Sequence, residues 1–492
     1  MIETKKLEAH FSQFRQKTVG IEQNFMSHFG QKNIVYADWI ASGRLYAPIE
    51  KKMLEDFAPF IGNTHTETSV TGTSMTQAYN KARQIIKQHV RANADDVLIC
   101  CDSGMTGAVN KLQRILGLKV PEKFRNQLEV SDEERPVVFI SHMEHHSNQT
   151  SWLETLADVV TIAPTSDGLI DLQQLRVLLQ KYEHRPIKIA AITSCSNVTG
   201  IVTPFHEVAK IMHAVGGLCF VDFACSAPYA PINMHPEGDE TASLDAIYFS
   251  PHKFLGGPGT SGVLIFHSKM YRNAVPDHPG GGTVTWTNPW GGHHYIQDIE
   301  AREDGGTPPF LQTIRTALAI RLKEQMGVEN ILAREHQLLE KAFARFDTIK
   351  NIHLLATQHR NRIGVISFYV KDLHYNLCVK LLNDHFGVQV RGGCSCAGTY
   401  GHYLLNVTPE YSRGITDKID GGNLTEKPGW IRLSLHPIMT DAELDFVMDA
   451  IEEVAKNFRT YAEDYEYSNK HNEYYLKKGE IHALDLEKCF AM

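Results

Sequence analysis

Residues 245–267 read DAIYFSPHKFLGGPGTSGVLIFH. Two apolar runs rich in β-branched and aromatic residues, 245–250 and 262–267, flank a turn that carries Lys253 and a cluster of glycines. The pattern predicts a strand that ends at the turn and a second strand that starts after it. Open α/β sheets place ligands at that edge, and a lysine amine held there can form a Schiff base with a carbonyl compound. An isolated lysine is far more often a solvated surface residue, so its surroundings decide.

Working outward, similar apolar runs occur at 97–101, 136–141, 159–163, 187–194 and 217–223. Helical periodicity separates or flanks many of them, at 76–91, 105–117, 171–182 and 204–215. Strand-helix alternation predicts an α/β domain whose seven-stranded, mainly parallel sheet is buried on both faces. After about residue 310 the pattern changes to a long helical stretch at 311–346, strands near 363–370, 388–391 and 430–435, and a helix near 374–386. This predicts a smaller C-terminal α+β domain. The expected division is an N-terminal segment at 1–40 packing with the small domain, a large domain at 41–310, the small domain at 311–460 and a peripheral tail at 461–492. The polar segment 405–428, with glycine and proline, reads as a long loop.

The chain has 492 residues, 42% hydrophobic, 22% charged and 9% aromatic. That composition is globular and excludes disordered, collagenous and disulfide-scaffold classes. A net charge of −8 argues against a grip on nucleic acid through its phosphates. The opening MIETKKLEAHFSQFRQK has no apolar core of a signal peptide, and no stretch approaches a membrane span, so a cytoplasmic protein without membrane contact is expected. Nine cysteines, scattered and odd in number, do not read as a disulfide framework. Cys394-Ser395-Cys396 is set apart, because it follows Arg391-Gly392-Gly393 in a loop, where a thiol can be both exposed and positioned.

Three more elements accompany Lys253. Asp222 ends the run LCFVD; a carboxylate at a strand end keeps a pyridine nitrogen protonated so that a cofactor ring can accept electrons, although such a residue alone is more often a cap. Ser103-Gly104-Met105-Thr106-Gly107 opens a helix, where backbone N–H groups and a hydroxyl bind phosphate; alone it reads as a capped turn. Glu144-His145-His146-Ser147-Asn148 offers an imidazole that can lie over a planar ring and exchange protons. Paired histidines can also hold metal, but no third ligand stands at recognisable spacing, so no metal is expected. Together the four elements describe a site for pyridoxal 5'-phosphate.

Over about residues 30–455 the chain resembles class V aminotransferase-fold enzymes, most closely cysteine desulfurases and selenocysteine lyases. Ser250-Pro251-His252-Lys253 matches the family's Ser-x-His-Lys motif, which implies a type I pyridoxal-phosphate transferase fold. It also implies Lys253 as the cofactor-linked lysine, with Ser250 and His252 as phosphate contacts. The resemblance further implies that Gly104, Met105 and Thr106 cradle the phosphate, that His145 stacks on the ring, and that Asn197 approaches ring oxygen or substrate. Asp222 is implied to pair with the ring nitrogen. Gly280-Gly281-Gly282 and the segment ending in Thr307 match regions in which the threonine reaches the phosphate of a partner subunit, implying a homodimer.

Arg391-Gly392-Gly393-Cys394-Ser395-Cys396-Ala397 resembles the family's Arg-x-Gly-x-x-Cys-Ala loop, which places Cys396 at the persulfide-forming position. Arg432-Leu433-Ser434-Leu435 resembles the segment whose arginine clamps the amino-acid carboxylate, as a guanidinium fork suits. Two structural thiols and an ordinary ion pair are the alternatives. Cys225 departs from the pattern, because many desulfurases have glutamine there and a thiol is a poor partner for the ring's phenolic oxygen. The implied activity is removal of sulfur or selenium from cysteine or selenocysteine, with Lys253, Cys396 and His145 catalytic and a sulfur-acceptor protein as possible partner. A class V aminotransferase or a β-eliminating lyase on the same fold is the alternative.

Overall fold

The computed structural model describes residues 4–492 apart from 65, 102, 126, 480 and 482, with side chains from residue 6. The chain divides into two compact units. The larger comprises 42–196 and 202–328, and the smaller comprises 1–41, 197–201 and 329–492. The expected boundary at 310 differs from this division, because the helix Phe310–Met326 belongs to the larger unit. That helix lies against Val70–His89, where Ala82, Ile314 and Ala317 form a small apolar cluster. The stretch read as one long helical region breaks at Gly327, whose φ of +79° suits glycine alone, and resumes as Val328–Phe346.

The larger unit is built on seven strands: β1 (Asp96–Cys101), β2 (Val137–Ser141), β3 (Asp158–Ile162), β4 (Lys188–Thr193), β5 (Leu218–Asp222), β6 (Ala246–Phe249) and β7 (Gly262–His267). Their order across the sheet is β1-β7-β6-β5-β4-β2-β3. All neighbours run parallel except β7, which is antiparallel to both β1 and β6. The runs are apolar throughout because helices cover both faces, and residues such as Val138, Ile192, Phe220 and Leu264 are fully enclosed. Since only β7 is reversed, the C-terminal ends of the other strands share one edge with the start of β7. In register, Thr193, Asp222 and Tyr248 stand side by side there. The sheet is the seven-stranded, mainly parallel one that the strand-helix alternation predicts.

The smaller unit carries a four-stranded antiparallel sheet of β8 (Ile352–Leu354), β9 (Val365–Val370), β10 (Arg391–Gly393) and β11 (Trp430–Ser434), in the order β8-β9-β11-β10. Residues Val35–Tyr36 pair in parallel with Val388–Gln389, and Arg15 bonds Glu443 at 2.6 Å, so the N-terminal segment is part of this unit.

The reading of 405–428 as a loop is corrected. Pro409–Asp420 is a helix, capped by Thr408, whose hydroxyl accepts from Tyr411 N, and Pro409 stands in the first turn. Only Ile415 of it is buried, which is why its sequence looks like a loop. The tail also folds: Tyr465–Ser468 and Glu473–Leu476 form a hairpin, with Tyr465 and Leu476 buried. Among the described residues no helix is long and apolar enough to cross a membrane, and no three metal-ligating side chains converge.

Candidate active site

In the larger unit the chemistry gathers at the shared strand edge. After β6 the chain makes one tight turn, Pro251–Lys253, and backbone packing fixes it. A side chain on Gly43 would meet Phe254 O at 1.9 Å, and one on Gly257 would meet Pro251 O at 1.9 Å. Gly43 N donates to His252 O at 2.9 Å. Lys253 is therefore presented from a turn that only glycine neighbours permit.

Asp222, fully enclosed at the end of β5, accepts from Ala224 N at 2.8 Å. Burial pushes its carboxyl up to about 6, against the pull of that N–H and of the Lys253 charge. A protonated ring nitrogen beside it would supply the cation that an ionised carboxylate needs in such a place. The same burial, with the Lys253 charge, pushes His252 down to about 4.

Gly104 opens the helix Gly104–Ile115 with φ +59°. A Cβ there would lie 2.8 Å from Ser250 Oγ and 3.1 Å from His252 Cε1. Ser250 Oγ accepts from Met105 N at 2.8 Å. Ser103 makes no side-chain cap on this helix, so its first N–H groups line a cradle that glycine keeps open. Thr106 Oγ1 lies 2.7 Å from Ser147 Oγ, joining this helix start to that of His146–Leu153. His145 caps the second helix, its Nδ1 accepting from Ser147 N at 3.1 Å.

Glu144 has a role the sequence did not reveal. It accepts from Thr193 N at 2.9 Å and from Asn148 Nδ2 at 2.7 Å; Asn148 in turn accepts from Tyr248 Oη at 2.6 Å. This buried chain ties the His145 segment to β4 and β6. Desolvation raises Glu144 to about 7. Cys225 is buried, its Sγ 3.9 Å from that of Cys195. Thr307 is exposed and lines a cleft of about 510 Å³ with Lys111, His278 and Glu303, none of which belongs to the cradle.

The smaller unit holds the second group. Arg432 on β11 is buried; its Nη2 donates to Asp38 Oδ1 at 2.8 Å and its Nη1 to Asn197 O at 3.4 Å, while its buried Nε has no partner. Asp38, which no motif flagged, also accepts from Arg391 Nε at 3.0 Å. Asn197 Nδ2 donates to Ser395 O at 2.7 Å, so a run of hydrogen bonds links Asp38, Arg432, Asn197 and the cysteine loop. Ser395 and Cys396 have φ of +51° and +57°, a left-handed conformation that costs non-glycine residues about 1–2 kcal/mol each. Cys396 is exposed and Cys394 half-buried.

The class-V aminotransferase family model matches residues 35–447. The chain belongs to that family. Among its relatives a probable cysteine desulfurase of Halalkalibacterium halodurans is 28% identical over 368 residues, 74% of this chain and 84% of that protein. A probable cysteine desulfurase of Streptomyces coelicolor is 26% identical over 88% of this chain and 94% of its own. In structure the class-V chain is similar to the apo cysteine desulfurase of Thermococcus onnurineus. The TM-score is 0.72 at 21% identity, covering 90% and 98% of the two chains. This class-V protein is an enzyme.

One pH effect follows from burial. The folded carboxyl of Asp222 binds its proton more tightly than in the unfolded chain, so its contribution to stability is greatest at low pH and declines as pH rises through about 6. Buried histidines such as His142, lowered to about 4, act in the opposite sense, so a difference is needed. In cofactor-free protein the stability advantage of wild type over Asp222→Asn should shrink by about 1–1.5 kcal/mol from pH ~5 to pH ~8. Urea unfolding of both proteins measures this, and a constant difference would count against it.

Proposed function

We propose that the protein is a pyridoxal 5'-phosphate-dependent cysteine desulfurase that also suits selenocysteine, acting as a homodimer in the cytoplasm and passing sulfur to an acceptor protein. One observation carries the reading: the hydrogen-bonded run from Asp38 through Arg432 and Asn197 to the Cys396 loop. It joins a guanidinium with an unpartnered buried nitrogen to an exposed thiol, the two groups that a small amino acid bearing a carboxylate and a sulfur would require.

The residues present suit the cofactor. The Gly104 cradle, Ser250, His252 and Thr106 would hold its phosphate, Asp222 its ring nitrogen and His145 its ring face, while Cys225 and Asn197 would be the residues for its phenolic oxygen. Bound there, pyridoxal phosphate supplies an electron sink for bonds broken at the amino-acid α-carbon. Lys253 would hold the cofactor through its Nζ, and that amine, when free, would take the α-proton of the substrate. Asp222 keeps the ring-nitrogen proton in place. Arg432 holds the substrate carboxylate. Cys396 Sγ, as thiolate, attacks the substrate sulfur: an S–S bond forms as the C–S bond breaks, the electron pair stays with carbon, and protonation assisted by His145 gives alanine. Cys396 is left as a persulfide. The exposed Thr307 is assigned to the phosphate of a partner subunit.

Sulfide and alanine released in equal amounts from cysteine and a reductant test the reading. Pyruvate with ammonia, or amino transfer to a keto acid, would instead favour the lyase or aminotransferase. The clamp has its own test. Arg432→Lys keeps the charge and loses the fork, so cysteine kcat/KM should fall by the equivalent of about 1.5–3 kcal/mol. Unchanged constants would remove Arg432 from this role.

A further inference from the structure

The chain after residue 447 lies beyond the family match, yet its hairpin reaches the cysteine loop's foundations. Asn472, at the hairpin turn, has φ +54°, a conformation that asparagine tolerates better than most residues. Its Nδ2 donates to Tyr375 Oη at 2.6 Å, and its Oδ1 accepts from Tyr467 Oη at 2.9 Å. Its backbone carbonyl accepts from Asn376 Nδ2. The rings of Tyr467 and Tyr474 each lie 5.4 Å from that of His374, which stacks on Tyr375 at 4.3 Å.

Tyr375 opens the helix Tyr375–Leu381, and its buried ring is wedged between two glycines, Gly392 and Gly429. A Cβ on Gly429 would stand 2.5 Å from one ring edge, and a Cβ on Gly392 would stand 3.2 Å from the other. Gly392 is in β10, two residues before Cys394, and Gly429 immediately precedes β11. The ring is the floor under the root of the loop. A loop with two consecutive non-glycine residues in left-handed backbone stays ordered only where its surroundings over-determine it. Asn197 holds it at Ser395, and Tyr375 holds it at Gly392.

We infer that the C-terminal hairpin positions the Cys394–Cys396 loop, with Asn472 as a positioning residue that acts through Tyr375. Loosening this floor leaves carboxylate binding and α-proton removal untouched and slows only the attack of Cys396, which depends on the thiol's placement. The consequence for sulfur transfer rests on the desulfurase reading, whereas the effect on loop order does not.

Two mild variants of the full-length, cofactor-loaded protein test it. Tyr375→Phe removes only the hydroxyl, and Asn472→Gly keeps the left-handed backbone while removing the amide. Amide hydrogen exchange over residues 391–398 should accelerate about threefold or more in both. Single-turnover persulfide formation from cysteine should slow about five- to tenfold, with KM and the spectral change on substrate binding unaltered. Unchanged exchange in this segment overturns the inference, as does a uniform fall in every kinetic constant that tracks loss of folded protein. If wild type forms no persulfide, the desulfurase reading fails by itself, and the exchange comparison alone decides the role of the hairpin.

Discussion

Lys253→Ala protein is expected to be colourless and to lose turnover by about 10⁴-fold or more, because the substitution removes both the cofactor-linking amine and the base. Lys253 is the cation whose charge reaches buried Asp222 and His252, and its turn is locked by Gly43 and Gly257. Absorption spectra and cysteine turnover of the purified variant measure the loss. Borohydride reduction of wild type followed by peptide mapping gives an independent check: the reduced cofactor should be found on Lys253. A tag on any other lysine would sink the assignment.

Cys396→Ser is expected to keep the spectral response to cysteine while releasing almost no sulfide. A serine hydroxyl remains protonated at neutral pH and lacks the polarisability of sulfur, so it does not replace a thiolate nucleophile. The loss should exceed about 10²-fold, and Cys394→Ser should retain most activity. The distinction between the two thiols matches their settings: Cys396 is exposed and Cys394 half-buried. Mass spectrometry after one turnover locates the added sulfur. Finding it on Cys394 would shift the nucleophile by two residues, and normal turnover by Cys396→Ser would favour the lyase or aminotransferase.

The seven strands of the large sheet were legible because burial on both faces leaves nearly continuous apolar runs, and LCFVD or GVLIFH admits few other readings. Lys253 and Asp222 were legible for a related reason, since each is a charge placed where such a run ends. The helix Pro409–Asp420 was not, because it is polar, lies in a stretch with glycine and proline, and buries one residue, Ile415. Its signal was the cap, Thr408-Pro409-Glu410. Asp38 was hidden because its partners, Arg391 and Arg432, are more than 350 residues away in sequence. Glu144 sat inside a quoted motif, but its bond to Thr193 depends on strand order that no local pattern encodes. The tail hairpin was legible only as the alternation in YEYS and EYYL around a polar turn, and its partner Tyr375 lies on a distant helix.

The smaller unit is assembled from three separate stretches of chain, and the first of them is made long before the last. Val35–Tyr36 finds its strand partner only at Val388–Gln389, and Arg15 its carboxylate only at Glu443. At synthesis rates of about 5–20 residues per second, the opening forty-one residues wait roughly 20–80 s on the ribosome while 42–328 can fold beside them. Phe11, Phe14 and Trp39, all buried in the finished unit, can complete their burial only after the last of those stretches has been made.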